Sequence, residues 1–270
     1  NAGAPILWKA GIVSIGPSPT APFLTAPDRK ADFGGFFRTI ASDIEQARSD
    51  AKWFYEILKA RKIVTVHDGS PYSKGLAQEM GKNFKQMGGT VLSEEAVQPT
   101  DVDMRPVLTR IASFKPDAVY LPLFVAAGAQ ILGQAKGMPE MAKVNIIGSA
   151  GLISPDMLQA AGDKVVGFRA TGSDGSPEAM GAGYSKFVAK YKEAFGEMPV
   201  ASYHANAYDA AMLAFKAIQT VAKTDKNGVT YIGKKALRDA VLATKFEGIS
   251  GPIACDENGA CAQLKTAVYE

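Results

Sequence analysis

The stretch Lys62-Ile-Val-Thr-Val-His-Asp-Gly-Ser-Pro-Tyr-Ser73 decides the fold class. Its first five residues are a β-branched run, which reads as a strand. A turn follows, and polar Ser73 opens a helical pattern that lasts to Met87, where Gly88-Gly89 stops it. Thr90-Val-Leu92 resumes a strand. The alternation then repeats. Asp103 to Phe114 carries a helical stripe of Met104, Val107, Leu108 and Ile111, and Asp117 to Leu121 is a strand. Ala126 to Lys136 is a small-residue helix, Val144 to Ile147 a strand, Pro155 to Ala161 a short helix, and Val165 to Phe168 a strand again. Strands spaced by helices predict βαβ units, hence an α/β fold with a parallel sheet covered on both faces. In such sheets ligands bind at the carboxyl ends of the strands.

Upstream, Gly11-Ile-Val-Ser-Ile15 reads as a strand ending in the loop Gly16-Pro-Ser-Pro-Thr20. Phe36-Phe-Arg-Thr39 is a second extended run, and Asp43 caps a helix expected to reach Leu58. Downstream the texture changes to three helices, expected over Ser176 to Glu197, Ala201 to Lys223 and Lys234 to Thr244. That region is poor in strand and needs a sheet face to pack on, so a lobe built from it is underbuilt.

The chain has 270 residues, enough for one large or two ordinary domains at about 100–200 residues each. Apolar residues make up 47% and charged residues 21%, which supports a sizeable core. A net charge of +3 is too small to argue for nucleic acid, and the Lys59-Ala-Arg-Lys62 cluster reads as a solvated helix end. The most apolar run, Ala118 to Gly133, is interrupted by Pro122 and Gln130, so no direct membrane span is expected. Asn1 is followed by small residues and Pro5 without a basic start, so no signal peptide is read there. Cys255 and Cys261 flank the turn signal Asp256 to Gly259. A hairpin there would place them at bridging distance; two free thiols beside a turn is the competing reading.

Catalytic and metal motifs are sparse. His67 and His204 lie in no metal-ligand spacing, so neither a metal nor a cofactor is expected. Gly75 to Lys82 imitates a phosphate-binding loop with the wrong spacing, and Asn83 stands where a hydroxyl is needed. His67-Asp68 could suggest acid/base chemistry in an enzyme; a polar pair closing a strand is the simpler reading. The Gly16–Thr20 loop is more informative. Its prolines stiffen it, and its hydroxyls and backbone N–H groups could hold a carboxylate. Tyr72, Phe124 and Tyr203 each sit at the mouth of a strand or helix, where aromatic walls of a ligand site are found.

Several stretches together resemble the leucine/isoleucine/valine-binding family of type I periplasmic binding proteins. Ser14-Ile-Gly-Pro-Ser-Pro-Thr-Ala-Pro-Phe-Leu-Thr25 looks like its ligand loop, and Phe36-Phe-Arg-Thr-Ile-Ala-Ser-Asp43 like its first crossing between lobes. His67-Asp-Gly-Ser-Pro-Tyr-Ser-Lys-Gly-Leu-Ala77 resembles the opening of its second lobe. Ala207-Tyr-Asp-Ala-Ala211, Phe246-Glu-Gly-Ile-Ser-Gly-Pro252 and Asp256-Glu-Asn-Gly259 resemble its late helix and final crossing. The motifs keep family order along essentially the whole chain. The resemblance implies two Rossmann-like α/β lobes with parallel sheets: residues 1–39 with 173–249, and 40–172 with 250–270. It also implies that the family's opening βαβ units are absent, leaving the first lobe incomplete and the chain a fragment of a longer protein.

By that resemblance the chain catalyses nothing. It is an extracytoplasmic binding protein, periplasmic or lipid-anchored, that hands a small organic acid or amino acid to an ABC permease. A receptor or regulator module of the same fold is the alternative. Carried residue by residue, the pattern puts the Ser18 backbone and the Thr20 backbone and hydroxyl on the solute carboxylate. Tyr72, Phe124 and Tyr203 surround the rest, in the cleft between lobes. The family's carboxylate for an α-ammonium falls at Ala150, which carries no charge. A desolvated ammonium without a counter-charge is costly, so an aliphatic, aromatic or keto acid fits better than a branched-chain amino acid, unless Asp68, Asp43 or a residue in the absent opening segment compensates.

Overall fold

The computed structural model describes residues 3–200, 203–263 and 265–270. In chain order the elements are α1 (Gly3–Lys9), β1 (Ser14–Gly16), β2 (Phe36–Arg38), α2 (Asp43–Lys52), β3 (Lys62–His67), α3 (Pro71–Gln86), β4 (Thr90–Ala96), α4 (Arg105–Ser113), β5 (Ala118–Leu121), α5 (Val125–Ala135), β6 (Asn145–Gly148), α6 (Pro155–Ala161), β7 (Arg169–Ser173), α7 (Tyr184–Phe195), α8 (His204–Val221), β8 (Lys223–Thr224), β9 (Thr230–Tyr231), α9 (Lys234–Ala243), β10 (Lys245–Glu247), β11 (Pro252–Ala254) and β12 (Thr266–Tyr269). They form two compact units: Asn1–Ser42 with Gly175–Lys265, and Asp43–Asp174 with Thr266–Glu270.

The second unit holds one six-stranded sheet in the order β12-β7-β6-β5-β3-β4. All neighbours are parallel except β12, which runs antiparallel to β7. The continuous apolar strands bury both faces, and the period of two sorts them. Val64, Val66, Val119 and Leu121 pack with Leu108 of α4 and Ile131 of α5. Ile63, Ala118 and Tyr120 face the other way, onto Ala47 and Ala51 of α2 and Leu76, Met80 and Phe84 of α3. The start of α3 follows from its sequence: the Ser70 side chain accepts from the Ser73 N–H and Pro71 occupies the first turn.

Two expectations in this unit need correction. The helix from Asp43 is α-helical only to Lys52, and Trp53–Ile57 winds as a π-helix that Lys59 closes at φ 58°. There Phe54 meets Tyr120 edge-on at 5.6 Å. The strand expected at Val165 to Phe168 is instead a 3₁₀ turn, Gly162–Val165, followed by Gly167 at φ 72°; the strand starts at Arg169. The apolar run misleads because Phe168 is buried in the core from a turn, while Val166 is 71% exposed.

In the first unit β1 and β2 form a parallel pair, Ser14 opposite Phe36 and Gly16 opposite Arg38. Phe37, Leu213, Ala217, Val241, Ile253 and Cys261 make its main core. Helix α1, not anticipated from the sequence, precedes the pair. The helix expected from Ser176 begins only at Tyr184, because Gly181 and Gly183 interrupt it and the Gly181 N–H is tied to the Ile249 carbonyl at 2.9 Å. The expected start of the next helix at Ala201 lies outside the described residues; α8 begins at His204.

Residues 250–265, assigned from the sequence to lobe two, lie in the first unit. The physical reason is local pairing. β11 is antiparallel to β10, Ala260 bridges Arg38, and Ile253 and Cys261 join the Phe37 core. The turn between β10 and β11 is seated on buried Asp209 of α8, which accepts the Ile249 and Ser250 N–H groups at 2.9 and 2.7 Å. Gly248 permits this approach, since a Cβ there would lie 2.4 Å from an Asp209 oxygen. Cys255 and Cys261 are joined by a disulfide. Among the described residues, no helix is long and apolar enough to cross a membrane.

Candidate functional site

The site residues named from the sequence fall into two groups, one in each unit. In the first unit, the loop after β1 carries Ser18, exposed, and Thr20, half-buried. The Thr39 N–H donates to the Gly16 carbonyl at 3.2 Å, which ties the start of the loop to the end of β2. Beneath it lies Arg38, only 2% exposed. Its guanidinium donates to the Thr20 carbonyl at 2.9 Å, to the Ala21 carbonyl at 3.1 Å, and to the Thr25 hydroxyl. Arg29 braces the same segment by donating to the Leu24 and Phe36 carbonyls, both at 3.2 Å. A rigid loop with its carbonyls turned onto a buried cation presents a favourable field to an anion.

Tyr203 immediately precedes α8 and is half-buried. The first turn of that helix is clasped to the end of β2: the Thr39 hydroxyl donates to the Asn206 carbonyl at 2.8 Å, and the Asn206 amide donates to the Thr39 carbonyl at 2.7 Å. Thr39 therefore joins the Ser18–Thr20 loop and the Tyr203 turn to one strand end. Next to Tyr203, His204 Nε2 lies 2.9 Å from the Tyr184 hydroxyl and stacks on Phe187.

In the second unit, Tyr72, Phe124 and Ala150 come together at the carboxyl ends of β3, β5 and β6. The Tyr72 and Phe124 rings are 5.2 Å apart, and Phe124 is 51% exposed. The Tyr72 hydroxyl shares a hydrogen bond with the fully buried Ser149 hydroxyl at 2.8 Å and accepts the Gly151 N–H at 3.2 Å. Gly151 passes so close to the Leu123 carbonyl that a Cβ would lie 2.5 Å from its oxygen. The turn carrying Ala150 is thus fixed against both aromatic residues. Ala150 itself adds only a methyl group.

The His67-Asp68 pair serves the strand–helix turn. The Gly69 N–H donates to His67 Nδ1 at 3.1 Å, which leaves Nε2 facing Glu94 at 3.3 Å. Asp68 accepts the Ser70 N–H at 2.9 Å. Sequence reasoning missed Arg38, Thr39, Asn206 and Ser149. The charge in Phe36-Phe-Arg-Thr39 was a usable signal, because an arginine inside an apolar extended run has to be held by something. Ser149 gave none.

A family model described as "Periplasmic binding protein" matches residues 1–270. The chain belongs to the periplasmic binding protein family. Within it, the Leu/Ile/Val-binding protein BraC3 of Rhizobium johnstonii is 28% identical over 244 residues, 85% of this chain and 63% of that protein. The leucine-, isoleucine-, valine-, threonine-, and alanine-binding protein of Pseudomonas aeruginosa is 26% identical over 261 residues, 96% of this chain and 65% of that one. The chain therefore spans slightly less than two thirds of these curated relatives. Among solved structures, leucine binding protein LivK from Thermotoga maritima superposes with a TM-score of 0.83 at 28% identity, covering 98% of this chain and 71% of LivK. A solute binding protein from R. palustris, solved in complex with benzoate, shares the fold at a TM-score of 0.79 and 20% identity, covering 99% of this chain and 70% of its own. The α/β fold of this periplasmic binding protein is the type I fold of those structures.

Proposed function

We propose that this chain acts as the extracytoplasmic solute-binding component of an ABC importer and takes a small organic acid. The observation that carries this reading is the Gly16–Thr20 loop seated on the buried Arg38 guanidinium. In this reading the Ser18 and Thr20 N–H groups and the Thr20 hydroxyl hold the carboxylate. Tyr203, Tyr72 and Phe124 are the aromatic residues assigned to the body of the solute. Ala150 supplies no counter-charge for an α-ammonium, and Asp68 is engaged in its own turn. The preferred solutes are therefore aliphatic, aromatic or keto acids, although the curated relatives are named for branched-chain amino acids. The Cys255–Cys261 disulfide supports an oxidising compartment outside the cytoplasm, and membership of the family supports delivery to a permease.

The experiment is titration calorimetry with leucine against 4-methyl-2-oxopentanoate, the same carbon skeleton with a keto oxygen in place of the ammonium. The keto acid is expected to bind at least about tenfold tighter, since an unpaired buried ammonium is strongly unfavourable. Tighter binding of leucine would overturn the assignment of Ala150.

A further inference from the structure

Arg38 is held twice over. Its guanidinium donates to the Thr20 and Ala21 carbonyls, and its backbone is gripped from the other side by the hairpin that follows β11. The Arg38 N–H donates to the Gly259 carbonyl and the Cys261 N–H donates to the Arg38 carbonyl, both at 2.9 Å, while Ala260 pairs with Arg38 in parallel. Gly259, at φ 82°, passes so close to β2 that a Cβ would lie 2.5 Å from the Phe36 carbonyl oxygen. Residues 259–261 thus serve β2 as a neighbouring strand on the edge that β1 leaves open.

The bonds that hold this segment in place are few. β11 has three residues, and the returning chain joins it through the Ile253–Ala262 bridge and the Ala254 N–H, which donates to the Cys261 carbonyl at 2.9 Å. At the exposed tip, Asp256 accepts the Asn258 and Ala260 N–H groups, both at 2.9 Å. A two-stranded hairpin of this kind is marginal in water on its own. The Cys255–Cys261 bond closes it covalently, and Cys261, 1% exposed, plants it in the core beside Phe37 and Ile253. Two thiols do not keep the separation of a bonded pair, and a close-packed core leaves the Cys261 thiol no room, so reduction displaces an arm of the hairpin. We infer that the Cys255–Cys261 bond is a redox-sensitive switch on the Gly16–Thr20 loop: oxidised, it clamps β2 and the Arg38 guanidinium beneath the loop; reduced, it lets both loosen. A dithiol carries out the reduction. Its thiolate attacks the sulfur of half-buried Cys255 and Cys261 leaves as the thiolate; the second thiol then displaces Cys255. The dithiol ends as its own disulfide, and its two protons end on the two cysteines.

The effect on solute affinity rests on the proposed carboxylate role of that loop; the loosening of β2 does not. On that reading the chain captures solute weakly until it is oxidised. The test is amide hydrogen exchange by NMR on the whole chain, oxidised, reduced with dithiothreitol, and reoxidised. The Arg38, Ala254 and Cys261 amides are expected to exchange about tenfold faster or more in the reduced protein and to recover on reoxidation. The α8 amides of Leu213 and Ala217 should keep their rates. The double variant Cys255→Ala with Cys261→Ala should show the fast rates with or without dithiothreitol. Unchanged rates at Arg38 and Cys261 on reduction would overturn the inference. So would equal acceleration across α8, which would make the bond a staple of the whole unit and not a switch on β2. Affinity for 4-methyl-2-oxopentanoate, read by calorimetry, should fall severalfold on reduction and return on reoxidation. Amides that loosen while affinity stays level would support the clamp on β2 and remove the loop from solute binding.

Discussion

Replacing Arg38 with methionine probes the base of the proposed anion loop, because the stem is kept and the guanidinium is lost. The structure lets the cost be worked out. Arg38 holds the Thr20 carbonyl, the Ala21 carbonyl and the Thr25 hydroxyl, and is itself 2% exposed. An acceptor left without its donor costs about 1–3 kcal/mol when buried, and the Ala21 contact is fully buried while the Thr20 contact is only partly so. Removing a buried charge returns some of its desolvation cost. The net expectation is a loss of about 3 kcal/mol, or roughly 6–12 °C in melting temperature for a unit of this size. Solute affinity should fall further than stability alone requires, because the loop is no longer pre-ordered. Arg38→Lys, a point charge with no planar fork, should fall between the two. Differential scanning calorimetry with and without the keto acid reads both quantities. A methionine variant melting within about 1 °C of the unaltered protein, with the same affinity, would show that this guanidinium does not support the loop.

Stability should also depend on pH through Asp50. Burial raises its folded pKa to about 7, above the unfolded value of 3.8, so the folded state keeps a proton that the unfolded chain releases. The contribution is complete below about pH 4, declines as pH rises towards about 7, and is absent above it, a span of at most about 4 kcal/mol. Urea melts across that range should show the decline, and Asp50→Asn should flatten it. Ser149→Ala removes the Ser149 hydroxyl from the Tyr72 hydroxyl, and should cost about 1–2 kcal/mol in the same melts; in a Tyr72→Phe background the further cost should be much smaller. The first unit exposes Phe195 (67%), Val200 (68%) and Phe215 (58%) on and beside α7 and α8. Apolar surface of that kind drives association, so sedimentation velocity should show concentration-dependent dimers; a monodisperse monomer at all concentrations would contradict this.

The second unit was legible because its strands are apolar on both faces and its helices start with clear punctuation, such as Ser70-Pro71. Errors came where an apolar run was not an element. Val165 to Phe168 turns at Gly167 and buries Phe168 from a loop, which periodicity does not distinguish from a strand. Residues 250–265 were misassigned because their partners, Lys245–Glu247 and Arg38, are fixed by pairing register. Tyr72 and Phe124 could be named because they sit at strand ends, Ala150 only through the family resemblance, and the structure brings those three together. Arg38, Asp50 and Ser149 escaped because the contacts that make them important come from residues distant in sequence: Thr20, Tyr120 and Tyr72.

The central claim is that the loop bearing Ser18 and Thr20 recognises a carboxylate. Its most direct test is the affinity ratio between an acid and its uncharged primary amide, measured by calorimetry in the unaltered protein and in Thr20→Ala. Because a hydrogen bond to a charged group contributes about 1.5–3 kcal/mol, the unaltered protein should prefer the acid strongly and Thr20→Ala should reduce that preference by about ten- to a hundredfold. An identical acid-to-amide ratio in the two proteins would contradict the account.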